Sequence, residues 1–333
     1  MKMRFLQQVP QDNRVSLDLK DKKILTALSQ EARTPATAMA KIAGLSRDSV
    51  QYRINRLTKA GVIQGYRTVI DIGKFGYDAY HLFLRLNQPT REIEEDLVKR
   101  FQKYPFARAV ITCRGKYDFE LAMVAKTPQE FDGILDQVLK DCGRHLQEYD
   151  VHIKTRSYVA HTLPPGFHAT KQTAKRQGKP VVLDVTDGKV LRALADDPLS
   201  PYFRIAEKAG VSHDTVQHRV KRMLEAGVIL KTVPVINYAA LNYSVYTLLV
   251  RFNGLAREEM LAAALRDDKH ILWAVKCVGR YNLLMYVCVQ NTDELNETLS
   301  GLRSRFSEAI MDYEVLIAYE EYKYTYFPDY ALL

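Results

Sequence analysis

The chain has 333 residues, 47% hydrophobic and 26% charged, a globular balance that excludes disorder throughout. No run approaches the roughly 18 apolar residues of a membrane helix, and the opening MKMRFLQQVPQDNR lacks the apolar core of a secretion signal. The net charge of +9 favours a polyanionic partner. Cys113, Cys142, Cys277 and Cys288 form no CxxC pair, so no zinc or redox motif is indicated and a reducing cytoplasm is expected.

The chain repeats itself. LDLKDKKILTALSQEARTPATAMAKIAGLSRDSVQYRINRLTKAGVI, from Leu17, returns from Leu183 as LDVTDGKVLRALADDPLSPYFRIAEKAGVSHDTVQHRVKRMLEAGVI, offset by 166 residues without a gap. CRGKYDFELAMV, from Cys113, returns as CVGRYNLLMYVC from Cys277, offset by 164. Two copies of about 150 residues are too long for solenoid units. They divide the chain into an N-terminal arm (1–16), a helical front (17–72) and a mixed rear (73–160). A basic linker (161–182), a second front (183–238) and a second rear (239–333) follow. The linker, with Lys171, Lys175, Arg176 and Lys179, reads as a solvated tether or as an arm along a nucleic acid.

The first helix is capped by Asp18 or Asp21, runs through Ala32 and aligns Ile24, Leu25 and Leu28. Pro35 opens a short second helix carrying Met39 and Ile42, and Gly44 ends it. Ser46 caps a third helix from Arg47 to about Ala60, with Val50, Ile54 and Leu57 as its inward stripe. Gly61 stops it, and VIQGYRTVID reads as a short hairpin wing.

This is the winged helix-turn-helix pattern, whose third helix buries one stripe and offers the other to a DNA major groove. Its outward residues are Arg47, Asp48, Ser49, Gln51, Tyr52, Asn55 and Arg56, with Arg53 at the boundary. Arg and Gln can form paired hydrogen bonds to guanine and adenine edges, and Ser and Tyr suit phosphates. The second copy offers His213, Asp214, Thr215, Gln217, His218, Lys221 and Arg222, with Arg219 at the boundary. Residues 15–72 hold ten Lys/Arg against five Asp/Glu, while residues 181–238 hold eight against seven. Because phosphate contacts dominate non-specific affinity, the first copy should grip DNA harder.

Each rear alternates strand and helix. In copy one AYHLFLRLN, ARAVITC, FELAMVAK and YDVHIKTRSYVA read as strands, with helices at REIEEDLVKRFQKY and PQEFDGILDQVLKDCGRHL. Glu94 and Glu95 should face solvent. Copy two repeats the order, and the aromatic run YEEYKYTYFPDY ends as strand and tail. The expected fold is α+β: a winged helix-turn-helix plus a ferredoxin-like βαββαβ sandwich, the pair occurring twice.

LSRDSVQYRINRLTKAGVI, then GYRTVID with FGY, then the GKYD loop, together resemble the Lrp/AsnC (feast/famine) transcription regulators over nearly the whole chain, in two passes. The resemblance implies double-stranded DNA as partner. It also implies an amino acid or similar effector at protomer interfaces of the rear domain, bordered by Gly115, Tyr117 and Asp118 and by Gly279, Tyr281 and Asn282. The family usually has one copy per chain. Asn282 replaces Asp118, and a neutral amide cannot pair with an ammonium, so the two sites differ or the second is lost. Asp and Asn both also close turns. The tandem suggests an intramolecular pseudo-dimer that reads an asymmetric DNA site and assembles further; pairing between chains is the alternative.

No cofactor, metal, membrane or enzyme motif is indicated. The rival enzyme reading is a siroheme decarboxylase of similar architecture, for which His81, His152 and His161 are the candidate residues, though no histidine cluster with ligand spacing appears. The other rival is a metabolite-sensing scaffold with little DNA binding. A regulator should lie in the cytoplasm, on the nucleoid.

Overall fold

The computed structural model describes residues 15–167, 182–254 and 257–329. Most of the N-terminal arm and the four linker cations lie outside these residues. The first front has α1 (Leu19–Gln30), α2 (Ala36–Ala43), α3 (Arg47–Lys59) and β1 (Ile63–Ile70). Its rear has β2 (Asp78–Leu86), α4 (Arg91–Lys103), β3 (Ala107–Arg114), β4 (Phe119–Ala125), α5 (Pro128–Cys142) and β5 (Leu146–Ala160). The second front has α6 (Val185–Asp196), α7 (Tyr202–Ala209), α8 (His213–Glu225) and β6 (Ile229–Ile236). Its rear has β7 (Ser244–Phe252), α9 (Glu258–Asp267), β8 (Ile271–Val278), β9 (Leu283–Val289), α10 (Thr292–Phe306) and β10 (Ile310–Tyr324).

Each rear is a βαββαβ unit, and the two sheets join edge to edge. The strands close into one eight-stranded barrel in the order β10-β3-β4-β2-β5-β8-β9-β7. The last strand of each copy is long enough to pair twice. β5 runs from β2 of its own copy to β8 of the other, and β10 runs from β7 to β3. The seams obey a two-fold: Ile153 pairs with Val278 on one and Ile317 with Arg114 on the other, equivalent positions in the repeat. Closure removes the exposed edges that open sheets carry. The copies therefore pair within the chain.

Three layers of apolar packing follow. α4 and α5 cover one outer sheet face through Leu97, Phe101 and Val138, while α9 and α10 cover the other through Leu261, Leu265 and Leu302. The barrel interior holds Phe83, Cys113, Tyr117, Val275, Cys277, Tyr281, Leu284, Cys288 and Leu316. Three of the four cysteines lie in this shared core, and all four are buried free thiols.

The wing differs from its sequence reading. The run after α3 is one strand, not a hairpin, and it pairs antiparallel with β6 of the other copy. Ile63 faces Ile236 and Ile70 faces Ile229, so this two-stranded ribbon shares the two-fold. The run contains no Asn-Gly or Asp-Gly to turn it back, and its counterpart offers a matching free edge. Each front also rests on the other copy: Ala32 N–H donates to Thr232 O (2.8 Å) and the Thr68 hydroxyl to Leu194 O (3.0 Å). The tail after β10 inserts Phe327, fully buried, beneath the second front, where Arg192 lies over its ring.

Candidate nucleic-acid interface

The front helices are fixed by caps and a buried carboxylate. Asp18 accepts from Asp21 N–H (2.8 Å), and the Asp21 carboxylate accepts from Asp18 N–H (3.2 Å), a reciprocal box. Ser46 accepts from Ser49 N–H at the start of α3 (3.1 Å). Gly44, at φ +61°, closes α2, and the Lys20 ammonium donates to the Ala43 carbonyl at that helix end (2.8 Å). Ile24, Leu25, Val50 and Leu57 fill the core as expected, while Ile42 turns outward and is exposed.

Asp21 is 1% exposed and accepts from Arg53 (2.9 Å) and Arg56 (2.5 Å) of α3; Arg53 also donates to Asp18 (2.7 Å). The second copy repeats this with Asp187, Arg219, Arg222 and Asp184. The Asp21 N–H and the Arg53 guanidinium hold the Asp18 carboxyl down at about 2. Arg219 lowers that of Asp184 likewise. These four arginines, named as base or phosphate readers from the sequence, thus also lock each recognition helix to the first helix of its front. Arg56 stays exposed, whereas Arg53, Arg219 and Arg222 are half-buried.

Arg47, Asp48, Gln51, Tyr52 and Asn55 form the exposed face of α3, with Tyr52 70% exposed. Gln51 donates to Asn55 (3.1 Å), and half-buried Ser49 meets Ser46. On α8 the exposed face is His213, Asp214, Gln217, His218 and Lys221; Thr215 is half-buried against Ser212. The ribbon of β1 and β6 joins the two fronts, so two unlike polar helices are fixed to one support.

The loop residues assigned to an effector sit between the copies. An added Cβ at Gly115 would lie 3.0 Å from Leu316, and at Gly279 2.5 Å from the Val151 carbonyl, so each loop presses on the other copy's last strand. Tyr117 and Tyr281 are fully buried. Tyr117 donates to Asp150, and burial pushes the Tyr281 phenol up to about 12. Asp118 accepts from Leu86 N–H (2.7 Å), and burial raises its carboxyl. Asn282 makes the same closure twice over, accepting from Phe252 N–H and donating to Phe252 O, each at 2.9 Å. Both side chains fasten a strand end, which explains why the amide replaces the acid without loss of the turn.

Sequence reading missed a buried polar cluster. His81 and His152 are register partners on β2 and β5 inside the barrel, not lone histidines. His81 Nδ1 meets Glu120 (2.9 Å), and Tyr286 of the other copy donates to the same carboxylate (2.5 Å). His152 Nε2 accepts from Tyr281 N–H (3.3 Å), and burial lowers its imidazole to about 4. Glu120, in the apolar strand FELAMVA, was the signal. The His161 backbone N–H donates to Leu272 O (2.8 Å). Among the described residues no three His, Cys, Asp or Glu gather to hold a metal. Glu94 also departs from expectation, turning to Arg114 (2.9 Å), while Glu95 stays exposed.

The family described as "Winged helix-turn-helix DNA-binding" matches residues 17–64 and 183–229, the two fronts. The HTH-type transcriptional regulator FL11 of Pyrococcus horikoshii is 30% identical over 125 residues, 38% of this chain and 82% of that protein. Regulatory protein AsnC of Haemophilus influenzae is 28% identical over 120 residues, 36% of this chain and 79% of that protein. The chain belongs to the Lrp/AsnC family. It carries the family's winged helix-turn-helix and rear domain twice, so each relative covers little more than a third of it. The siroheme decarboxylase NirDL shares the full-length fold, with a TM-score of 0.62 over 92% of this chain and 93% of that one at 13% identity. At that identity the likeness is one of fold.

Proposed function

We propose that this Lrp/AsnC chain is a sequence-specific DNA-binding transcription regulator whose two unlike recognition helices read one asymmetric site. One observation carries this reading: a face able to contact bases, exposed on a capped helix, occurs twice and is fixed to one ribbon. Arg47 and Gln51 on α3, and Gln217 on α8, are the side chains proposed to reach base edges. Arg56, Lys221 and Arg222 serve the phosphates. The protein acts by binding, without a reaction of its own, in the cytoplasm on the nucleoid.

An amino acid or similar metabolite is proposed to act at the rear domains, beside the loops at Gly115 and Gly279. What supports this is the placement of both loops against the other copy's last strand, where a small molecule would touch both copies. Exposed Ile153, Val278 and Ile317 on the barrel seams are the proposed contacts for further assembly.

Selection of bound duplexes from a random pool tests the reading. The enriched site should be non-palindromic, and Arg47→Ala should cost about 1–3 kcal/mol of binding and relax the preference at one base position. Failure to bind any duplex in dilute buffer, with or without amino acids, would overturn it. The enzyme alternative draws on the shared fold and on the His81–His152 pair; a siroheme absorbance band retained by the purified protein would favour it.

A further inference from the structure

The barrel is built by a pseudo-two-fold, yet its inner face is not symmetric. Arg67 of β1 lies opposite Val233 of β6, and these are the same position in the two copies. The Arg67 guanidinium is buried and reaches Glu321 of β10 (3.3 Å), also buried. The position in copy one that corresponds to Glu321 is Ser157, which pairs with Val275 as Glu321 pairs with Ile111. The Glu120 carboxylate, 0% exposed, takes the Tyr286 hydroxyl across the copies, and the counterpart of Tyr286 is Ala122. Trp273 and Tyr286 are cross-strand partners stacked at 5.0 Å; their counterparts, Ala109 and Ala122, are partners too. Copy two supplies the large rings and copy one the alanines.

From this arrangement we infer that the two copies are exclusive partners: each inner face accepts the other copy and rejects a second copy of itself. Pairing copy one with copy one sets Arg67 against Arg67 across the ribbon and replaces Glu321 with Ser157. It also deprives two buried Glu120 carboxylates of Tyr286 and leaves alanine pairs where rings should pack. Pairing copy two with copy two buries Glu321 against Val233 and doubles the Trp273–Tyr286 stack in one layer. Like charges face to face, buried charges without counter-charges, and voids or overpacking each disfavour the homotypic forms. Removal of a partner from a buried pair outweighs the modest gain of keeping it, so the discrimination lies mainly in what the wrong pairings lose. The partner this surface fits is the other half of the same chain, whatever the DNA site proves to be.

The test uses the full chain with a protease site placed between residues 168 and 181. The chain is cleaved, unfolded, refolded and read by native mass spectrometry. Heterotypic pairs should exceed either homotypic pair by about a hundredfold or more. A random mixture, with heterotypic pairs about twice each homotypic one, would overturn the inference. Should the halves fail to refold, the uncut chain decides. R67V and E321S should each lower the melting temperature, and together by clearly less than the sum, because either change alone leaves the other charge buried without its partner across the copies. If the two losses simply add, the inference falls.

Discussion

Asp21 concentrates the energetics of the first front in one residue. Its buried carboxylate joins the Asp18 cap to Arg53 and Arg56, so Asp21→Ala should strip two guanidiniums of a buried partner and cost about 3 kcal/mol in denaturant unfolding. Asp18 itself is exposed and gives a pH signature. Its folded carboxyl lies at about 2, below the ordinary 3.8, so the cap is fully present above about pH 4 and is lost as pH falls through 2. A carboxyl NMR titration of Asp18 should follow that course, and Arg53→Ala should move the midpoint upward. Asp21 was offered as a possible cap from the sequence; its role as anchor for α3 was not legible, because the two sites are more than thirty residues apart.

At the scale of elements, loops and strands meet across the copies. The loop at Gly279 has φ +156° and lies so close to Val151 that any side chain must displace backbone. Gly279→Ala should therefore cost about 2–4 kcal/mol, through strain and overpacking together. Gly133 sits inside α5 with open space around its Cβ position, so Gly133→Ala should stabilise by about 0.5–1 kcal/mol. Thermal melts of the two variants should move in opposite directions. The helix and strand order was readable from periodicity and caps: Asp18, Ser46 and Gly44 mark helix ends where the structure has them. The wing was misread as a hairpin because an edge strand looks the same whether its partner is near or distant in sequence.

For the whole molecule the decisive feature is interleaving. The first front rests on β6, the tail passes beneath the second front, and β5 and β10 each belong to both sheets. Neither copy has a core that is closed without the other. Heat or denaturant should therefore unfold the chain in one cooperative transition, with near-UV and far-UV signals coincident. Two separated transitions would show that the copies fold as independent domains.

Local chemistry written in the chain determined the repeat, the helix caps, the βαββαβ order and the polar faces of α3 and α8. Those depend on contacts a few residues apart or on the period of apolar positions, and both survive in a linear string. Tertiary structure alone decided that the copies close into one barrel, that the wings pair across the two-fold, and that Arg67 meets Glu321 254 residues away. It also turned Asp118 and Asn282 toward strand backbones and brought His81 beside His152. The physical reason is common to all of these: a buried polar group takes its meaning from the partner opposite it, and the partner is chosen by chain closure, not by sequence neighbourhood.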